Sequence, residues 1–331
     1  MTLKIALVSG ITGQDGSYLA ELLLNLEYKV VGLHRRTSVN NFERINHLLD
    51  NPQFKLEEFD LTDPSICDHV INYYQPDEFY NLAAQSHVGT SFKQPSTTFQ
   101  IDTIGAVNVL ESIRKNSPVT KFYQASTSEM FGRNFSTDKD GVKYQDENTE
   151  LLPQSPYGVA KLAAHRLVQI YREAYGIFAV SGILFNHESP RRGEQFVTRK
   201  ITKYLGQLVN HHTKETLKLG NLNSSRDWGH ARDYVNAMFL MLQNDYPQDY
   251  VICTGKTHTV LDFLKAAFEH VNLDYTQHVE IDHDLYRPAE VDYLCGKNDR
   301  AKRELKWFPQ ISFEDLVKDM VISDVEAFTH A

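Results

Sequence analysis

The residues of this 331-residue chain best placed to do chemistry are a tyrosine and a lysine four apart, Tyr157 and Lys161. On a helix the two share a face. An ammonium beside a phenol favours the phenolate, pulling it down from its usual ~10 towards neutrality. Tyr157 is therefore expected to serve as the base for an alcohol or sugar hydroxyl. Upstream, Ser126-Thr127-Ser128-Glu129 closes a predicted strand, and Thr127 and Glu129, two apart, should project to the same side. A hydroxyl, a carboxylate and an activated phenol exceed what simple alcohol oxidation needs. Taken singly, the Tyr-Lys pair reads equally as a packed tyrosine with a solvated lysine, and Glu129 as a hydrated strand end. It is the combination that carries chemistry.

The elements that must position these groups read as alternating strands and helices. Residues 4–9 form a near-continuous apolar strand, and Gly10, Gly13 and Gly16 follow. Leu19, Leu22, Leu23 and Leu26 then recur at helical spacing before a second strand over 29–33. Placed between strand and helix, the glycines let a backbone approach a pyrophosphate at a helix N-terminus. A carboxylate near the end of the second strand would hold an NAD ribose, but His34-Arg35-Arg36 stands there, so NADP is preferred, its 2′-phosphate held by arginine. Asp60 reads as a contact to the adenine edge or a cap for the next helix. Further strands are predicted over 54–59, 78–82, 121–125 and 178–184, and helices over 64–74 and 98–115. The fold class is α/β, a doubly wound parallel sheet of Rossmann type with a smaller α/β substrate-binding lobe. Residues 1–185 are expected to form the cofactor-binding domain, with returns from about 227–255, and 186–331 the lobe that closes over the strand ends.

The formal net charge of −9 argues against a nucleic-acid binder. Cys67, Cys253 and Cys295 are far apart and odd in number, suggesting neither a disulfide framework nor a zinc site. Fourteen histidines include His211-His212 but no HExxH, and no metal is expected. No apolar run is long enough to span a bilayer, so a cytoplasmic protein without a membrane partner is expected.

The longer motifs add a resemblance. Gly-Ile-Thr-Gly-Gln-Asp-Gly at 10–16, Ser-Thr-Ser-Glu-Met-Phe-Gly at 126–132 and Ser-Pro-Tyr-Gly-Val-Ala-Lys at 155–161 resemble the GDP-mannose 4,6-dehydratases, extended members of the short-chain dehydrogenase/reductase superfamily. So do Asn-His-Glu-Ser-Pro-Arg-Arg-Gly at 186–193, Phe-Val-Thr-Arg-Lys at 196–200, Arg-Asp-Trp-Gly-His-Ala-Arg-Asp-Tyr-Val at 226–235 and Tyr-Arg-Pro-Ala-Glu-Val-Asp at 286–292. The resemblance implies a hydro-lyase that turns GDP-mannose into GDP-4-keto-6-deoxy-mannose, a first step towards GDP-6-deoxyhexoses such as GDP-fucose or GDP-rhamnose. It implies Thr127, Glu129, Tyr157 and Lys161 as the catalytic group. NADP would be held by Gly10, Ile11, Thr12, Gly13, Gln14, Asp15, Gly16, Arg35, Asp60, Leu61, Leu82, Ala83, Ala84, Ser86, Lys161, His187 and Arg192. GDP-mannose would meet Ser86, Asn186, Val197, Lys200, Leu219, Gly220, Arg226, Arg287 and Glu290. It further implies a homo-oligomer, dimer or tetramer, with the Arg35 to Arg44 loop at the interface. Phe131 and Thr97 depart from the family's usual tyrosines. The competing readings are another nucleotide-sugar dehydratase or 4-epimerase, and a non-catalytic NADP sensor. A dTDP-glucose dehydratase would carry Asp where Ser128 stands, an epimerase has no need of Glu129, and a sensor often loses the Tyr or Lys.

Overall fold

A computed structural model of the chain describes residues 3–211, 213–286 and 291–329. Strand β1 (Ile5–Ser9) leads through the glycine loop into helix α1 (Gln14–Asn25) and strand β2 (Lys29–His34). Then come β3 (Phe54–Glu58), α2 (Pro64–Tyr74) and β4 (Glu78–Asn81). The helix expected over 98–115 is a composite. Helix α3 (Val88–Lys93) is followed by α4 (Pro95–Phe99), a π-helical turn at Gln100–Ile104 and α5 (Gly105–Asn116). Strand β5 (Lys121–Thr127) runs two residues beyond expectation and carries Thr127 at its end.

A small hairpin, β6 (Ser136–Thr137) and β7 (Lys143–Tyr144), precedes the long helix α6 (Pro156–Tyr175) and β8 (Ala179–Leu184). The remainder comprises β9 (Asn186–Glu188), α7 (Val197–Val209), β10 (Leu217–Leu219), β11 (Ser225–Arg226), β12 (Trp228–His230) and α8 (Ala231–Gln243). It finishes with β13 (Tyr250–Ile252), β14 (His258–Thr259), α9 (Val260–Glu269), β15 (Val279–Ile281) and α10 (Phe313–Thr329).

Seven parallel strands make the main sheet in the order β13-β8-β5-β4-β1-β2-β3. Alternate residues point to opposite faces. Ala6 and Val8 join a core with Tyr80, Tyr123 and helices α1 and α8, while Leu7, Val31, Phe79 and Phe122 join another with α2, α5 and α6. The chain order reverses between β1 and β4, and a crevice for a ligand opens at such a switch point, beyond the strands' carboxyl ends. A separate core holds α7, α9 and α10 together around Ile201, Phe263 and Leu316. The two regions interleave, because β12 pairs with β9, α8 packs on α1, and β13 extends the main sheet at β8.

Candidate active site

The glycine loop is shaped by sterics. Gly10 adopts φ +69°, open to glycine at little cost, and a Cβ there would lie 2.9 Å from the Ala83 amide. At Gly16 a Cβ would come within 2.4 Å of the Gly10 carbonyl oxygen, so the helix could not pack so close to the strand. At Gly13 only the Gly10 oxygen, at 3.1 Å, would be met, which leaves its other side open. Ser9 ties this loop to the neighbouring one: its hydroxyl accepts from the amides of Leu82 and Ala83, each at 3.1 Å, and donates to Asn81. Ala84 and exposed Ser86 continue that loop, and exposed Arg35 and Arg36 follow β2. Asp60 accepts from the amide and hydroxyl of Thr62; the cap of α2 is Asp63, which accepts from the Ser65 amide, so the capping expected of Asp60 belongs to its neighbour.

Helix α6 is set by its ends. Ser155 caps it by accepting from the Gly158 amide at 3.0 Å, Pro156 fits the first turn, and Gly176 closes it in the left-handed region at φ +66°. Tyr157 therefore sits in the first turn and Lys161 one turn later, both buried. Glu129 differs from the pleat argument. It lies in a 3-10 turn, Ser128–Met130, beyond the end of β5, and Thr127 caps that turn by accepting from the Glu129 amide at 3.2 Å. The turn, and not strand alternation, sets Glu129 beside Thr127. Both act on Tyr157: the Thr127 hydroxyl favours the phenolate and the Glu129 charge opposes it.

The expectation that Lys161 pulls Tyr157 down is not met. Burial, and next the charge of Asp102, hold the phenol well above its ordinary value, against the hydrogen bond from Thr127. Lys161 is itself lowered by burial, with Asp102 opposing. Asp102 is a residue that sequence reasoning missed. It is buried on the π-helical turn, its Oδ1 accepts from the Gln85 amide at 2.7 Å, and its Oδ2 makes no hydrogen bond. Burial raises it to about 6, against the pull of Lys161. Next to it, Thr103 donates to the Ala160 carbonyl at 2.8 Å and so fixes the turn against α6 beside Lys161. The available signal was an acid inside an apolar helical pattern (Phe99, Ile101, Ile104).

The residues after β8 converge on the glycine loop. His187 bonds Asp15 at 2.8 Å, Gln14 donates to the His187 carbonyl at 3.1 Å, and Ser189 donates to Gln14 at 2.7 Å. Arg44 donates to the carbonyls of Thr12 and Arg191 in its own chain, and residues 35–41 before it form a continuous exposed run. Arg192 pairs with Glu188 at 3.0 Å and its charge reaches Tyr157.

Asn186 is paired with Trp228 across β9 and β12, and Arg226 is buried on β11. Val197 opens α7 and Leu219 ends β10, with Gly220 beyond it. Lys200 is turned towards its own lobe, its Nζ donating to the Lys218 carbonyl at 2.7 Å. Arg287 and Glu290 lie outside the described residues. Among the described residues no group of three or more His, Cys, Asp or Glu could hold a metal, and no helix is long and apolar enough to cross a membrane. Cys67, Cys253 and Cys295 are free and buried.

The family model described as GDP-mannose 4,6 dehydratase matches residues 7–320. GDP-mannose 4,6 dehydratase 2 of Arabidopsis thaliana is 52% identical, covering 98% of this chain and 87% of that protein. The Homo sapiens GDP-mannose 4,6 dehydratase is 47% identical over 98% and 92%. Among solved structures, DesIV, a dTDP-glucose 4,6-dehydratase from Streptomyces venezuelae with NAD and TYD bound, has the same fold. Its TM-score is 0.86 at 22% identity, over 97% of each chain.

Proposed function

The chain belongs to the GDP-mannose 4,6-dehydratase family, and on that premise we infer that it converts GDP-mannose to GDP-4-keto-6-deoxy-mannose and water through Thr127, Glu129, Tyr157 and Lys161. The observation that carries this assignment is the meeting of Thr127, Glu129 and Tyr157 at the end of β5 and the start of α6. Tyr157 takes the proton of the sugar's 4-hydroxyl while Thr127 holds the phenol, and Lys161 supplies a cation one helical turn away. The 4-ketone acidifies the hydrogen on C5. Glu129 removes it, and Glu129 or Thr127 protonates the 6-hydroxyl as it departs as water. The proton that Tyr157 took from the 4-hydroxyl then returns to C5. Oxidation alone needs only Thr127, Tyr157 and Lys161; Glu129 is what elimination adds.

The glycine cradle, with the open side of Gly13 and the backbone of Leu82 to Ala84, fits a dinucleotide. A bound nicotinamide would accept the hydride of C4 and return it to C6, so none is consumed. NADP is our choice over NAD, because β2 ends in His34 and exposed Arg35 and Arg36 with no carboxylate. Asn186, Arg226 and Lys200 would serve the GDP-sugar, Lys200 after leaving the Lys218 carbonyl. A second subunit would meet the loop at 35–41.

The test is mass spectrometry and NMR of GDP-mannose incubated with the protein and catalytic NADP. Loss of one water, a 4-keto sugar and no net NADPH is the expected result. Unchanged GDP-mannose beside converted UDP- or dTDP-sugars would overturn the substrate assignment.

A further inference from the structure

Asp15 poses an electrostatic problem. It lies in the first turn of α1, within the loop read above as the diphosphate cradle, where a bare carboxylate would repel the ligand. The structure answers it with His187 of β9. Its Nε2 bonds the Asp15 Oδ2 at 2.8 Å, and its Nδ1 donates to the Phe185 carbonyl at 2.8 Å. With both ring nitrogens facing oxygens that can only accept, the imidazole carries two protons and a charge. Tyr234 of α8 stacks on the ring at 4.5 Å. Gln14 donates to the other Asp15 oxygen at 3.0 Å. Arg192, whose guanidinium meets Glu188 at 3.0 Å, is a further charge acting on the pair.

We propose that His187 is the built-in counter-ion of Asp15, cancelling its charge at the diphosphate cradle, so that cofactor affinity depends on His187 remaining protonated. The inference rests on the dinucleotide reading of the glycine loop and gives His187 a positioning and electrostatic role, since both of its nitrogens are already engaged. Two shifts agree with it. Burial would lower His187, but Asp15 outweighs burial and raises it above 6.5; burial would raise Asp15, but His187 outweighs burial and lowers it. Below the raised value of His187 and above the lowered value of Asp15 the pair is neutral overall. Only when pH rises through the elevated value of His187 does Asp15 stand uncancelled.

Direct NADP binding to the full chain, followed by calorimetry or tryptophan fluorescence between about pH 6 and pH 9, tests this without turnover. Wild type should lose affinity on the alkaline side, above the ordinary histidine range. Asp15→Asn should lose that alkaline fall, with Lys161, the arginines and the ligand's own phosphate as shared background. His187→Gln should bind about tenfold more weakly at pH 7, and the double variant should recover affinity relative to His187→Gln. A double variant no tighter than His187→Gln would make the pair a mechanical tie and overturn the proposal. So would an alkaline fall that is the same in wild type and Asp15→Asn, a comparison that needs no His187 variant to fold. Wild type that binds neither NADP nor NAD would remove the cofactor reading and this inference with it.

Discussion

At Tyr157 burial and the Asp102 charge raise the phenol, while Thr127 works against them. To take the proton of the 4-hydroxyl the phenol must first lose its own, a step that burial and Asp102 oppose and Thr127 favours. Glu129→Gln should lower turnover by ~10²–10⁴-fold, the range for one acid–base step, yet still permit some NADP reduction. Tyr157→Phe should abolish both. Stopped-flow absorbance of the reduced nicotinamide beside product NMR separates the two, and near-normal turnover by Glu129→Gln would refute its role. Asp102 makes stability depend on pH. Its folded value of about 6 exceeds 3.8, so the folded state binds the proton more tightly, and stability is lost as pH rises through that window. Asp102→Asn keeps the acceptor for the Gln85 amide and should gain up to about 3 kcal/mol at pH 8 but little at pH 4. Thermal melts at both values check this, and equal shifts would contradict it.

Elements convert local chemistry into placement. Ser155, Pro156 and Gly176 define where α6 starts and stops, so Tyr157 and Lys161 are held by the helix ends as much as by their own contacts. Ser155→Ala should cost about 1 kcal/mol in urea unfolding and reduce kcat through a looser first turn. Gly16→Ala adds a Cβ 2.4 Å from the Gly10 oxygen, so it should weaken cofactor binding more than it lowers Tm. The π-helical turn at Gln100–Ile104 does comparable work, directing Asp102 inward where a regular α-helix would place its neighbours differently.

Across the whole molecule, the long return segment clasps the cofactor loop. Beyond it, Asp324 of α10 pairs with Arg199 at 2.7 Å and accepts from Thr202 at 2.7 Å, both on α7, and Arg199 also donates to the Pro190 carbonyl. A helix late in the chain thereby anchors the segment that carries His187 and Arg192. Asp324→Ala strands a largely buried guanidinium and should cost about 3–5 kcal/mol, read by urea denaturation. It should also raise the KM for GDP-mannose more than it lowers kcat. We propose that residues 1–185 with the returns over 227–255 act as the cofactor lobe and the rest as the sugar-nucleotide lobe.

Periodicity and glycine spacing sufficed for the sheet's strands, the glycine loop and the Tyr157 helix, because those signals are local: alternation, helical repeat, a cap, a missing Cβ. The candidate catalytic residues were legible for the same reason, as short motifs of fixed spacing. What only the tertiary structure decided was which groups meet across the fold. Glu129 reached Thr127 through a turn beyond the strand, Asp102 emerged facing Lys161 from a distorted helix, and Asp15 found His187, 172 positions away. Protonation followed those meetings: the spacing of Tyr157 and Lys161 predicted a lowered phenol, whereas burial and a distant carboxylate raised it. Charge acts through space and desolvation through packing, and neither quantity is written in sequence order.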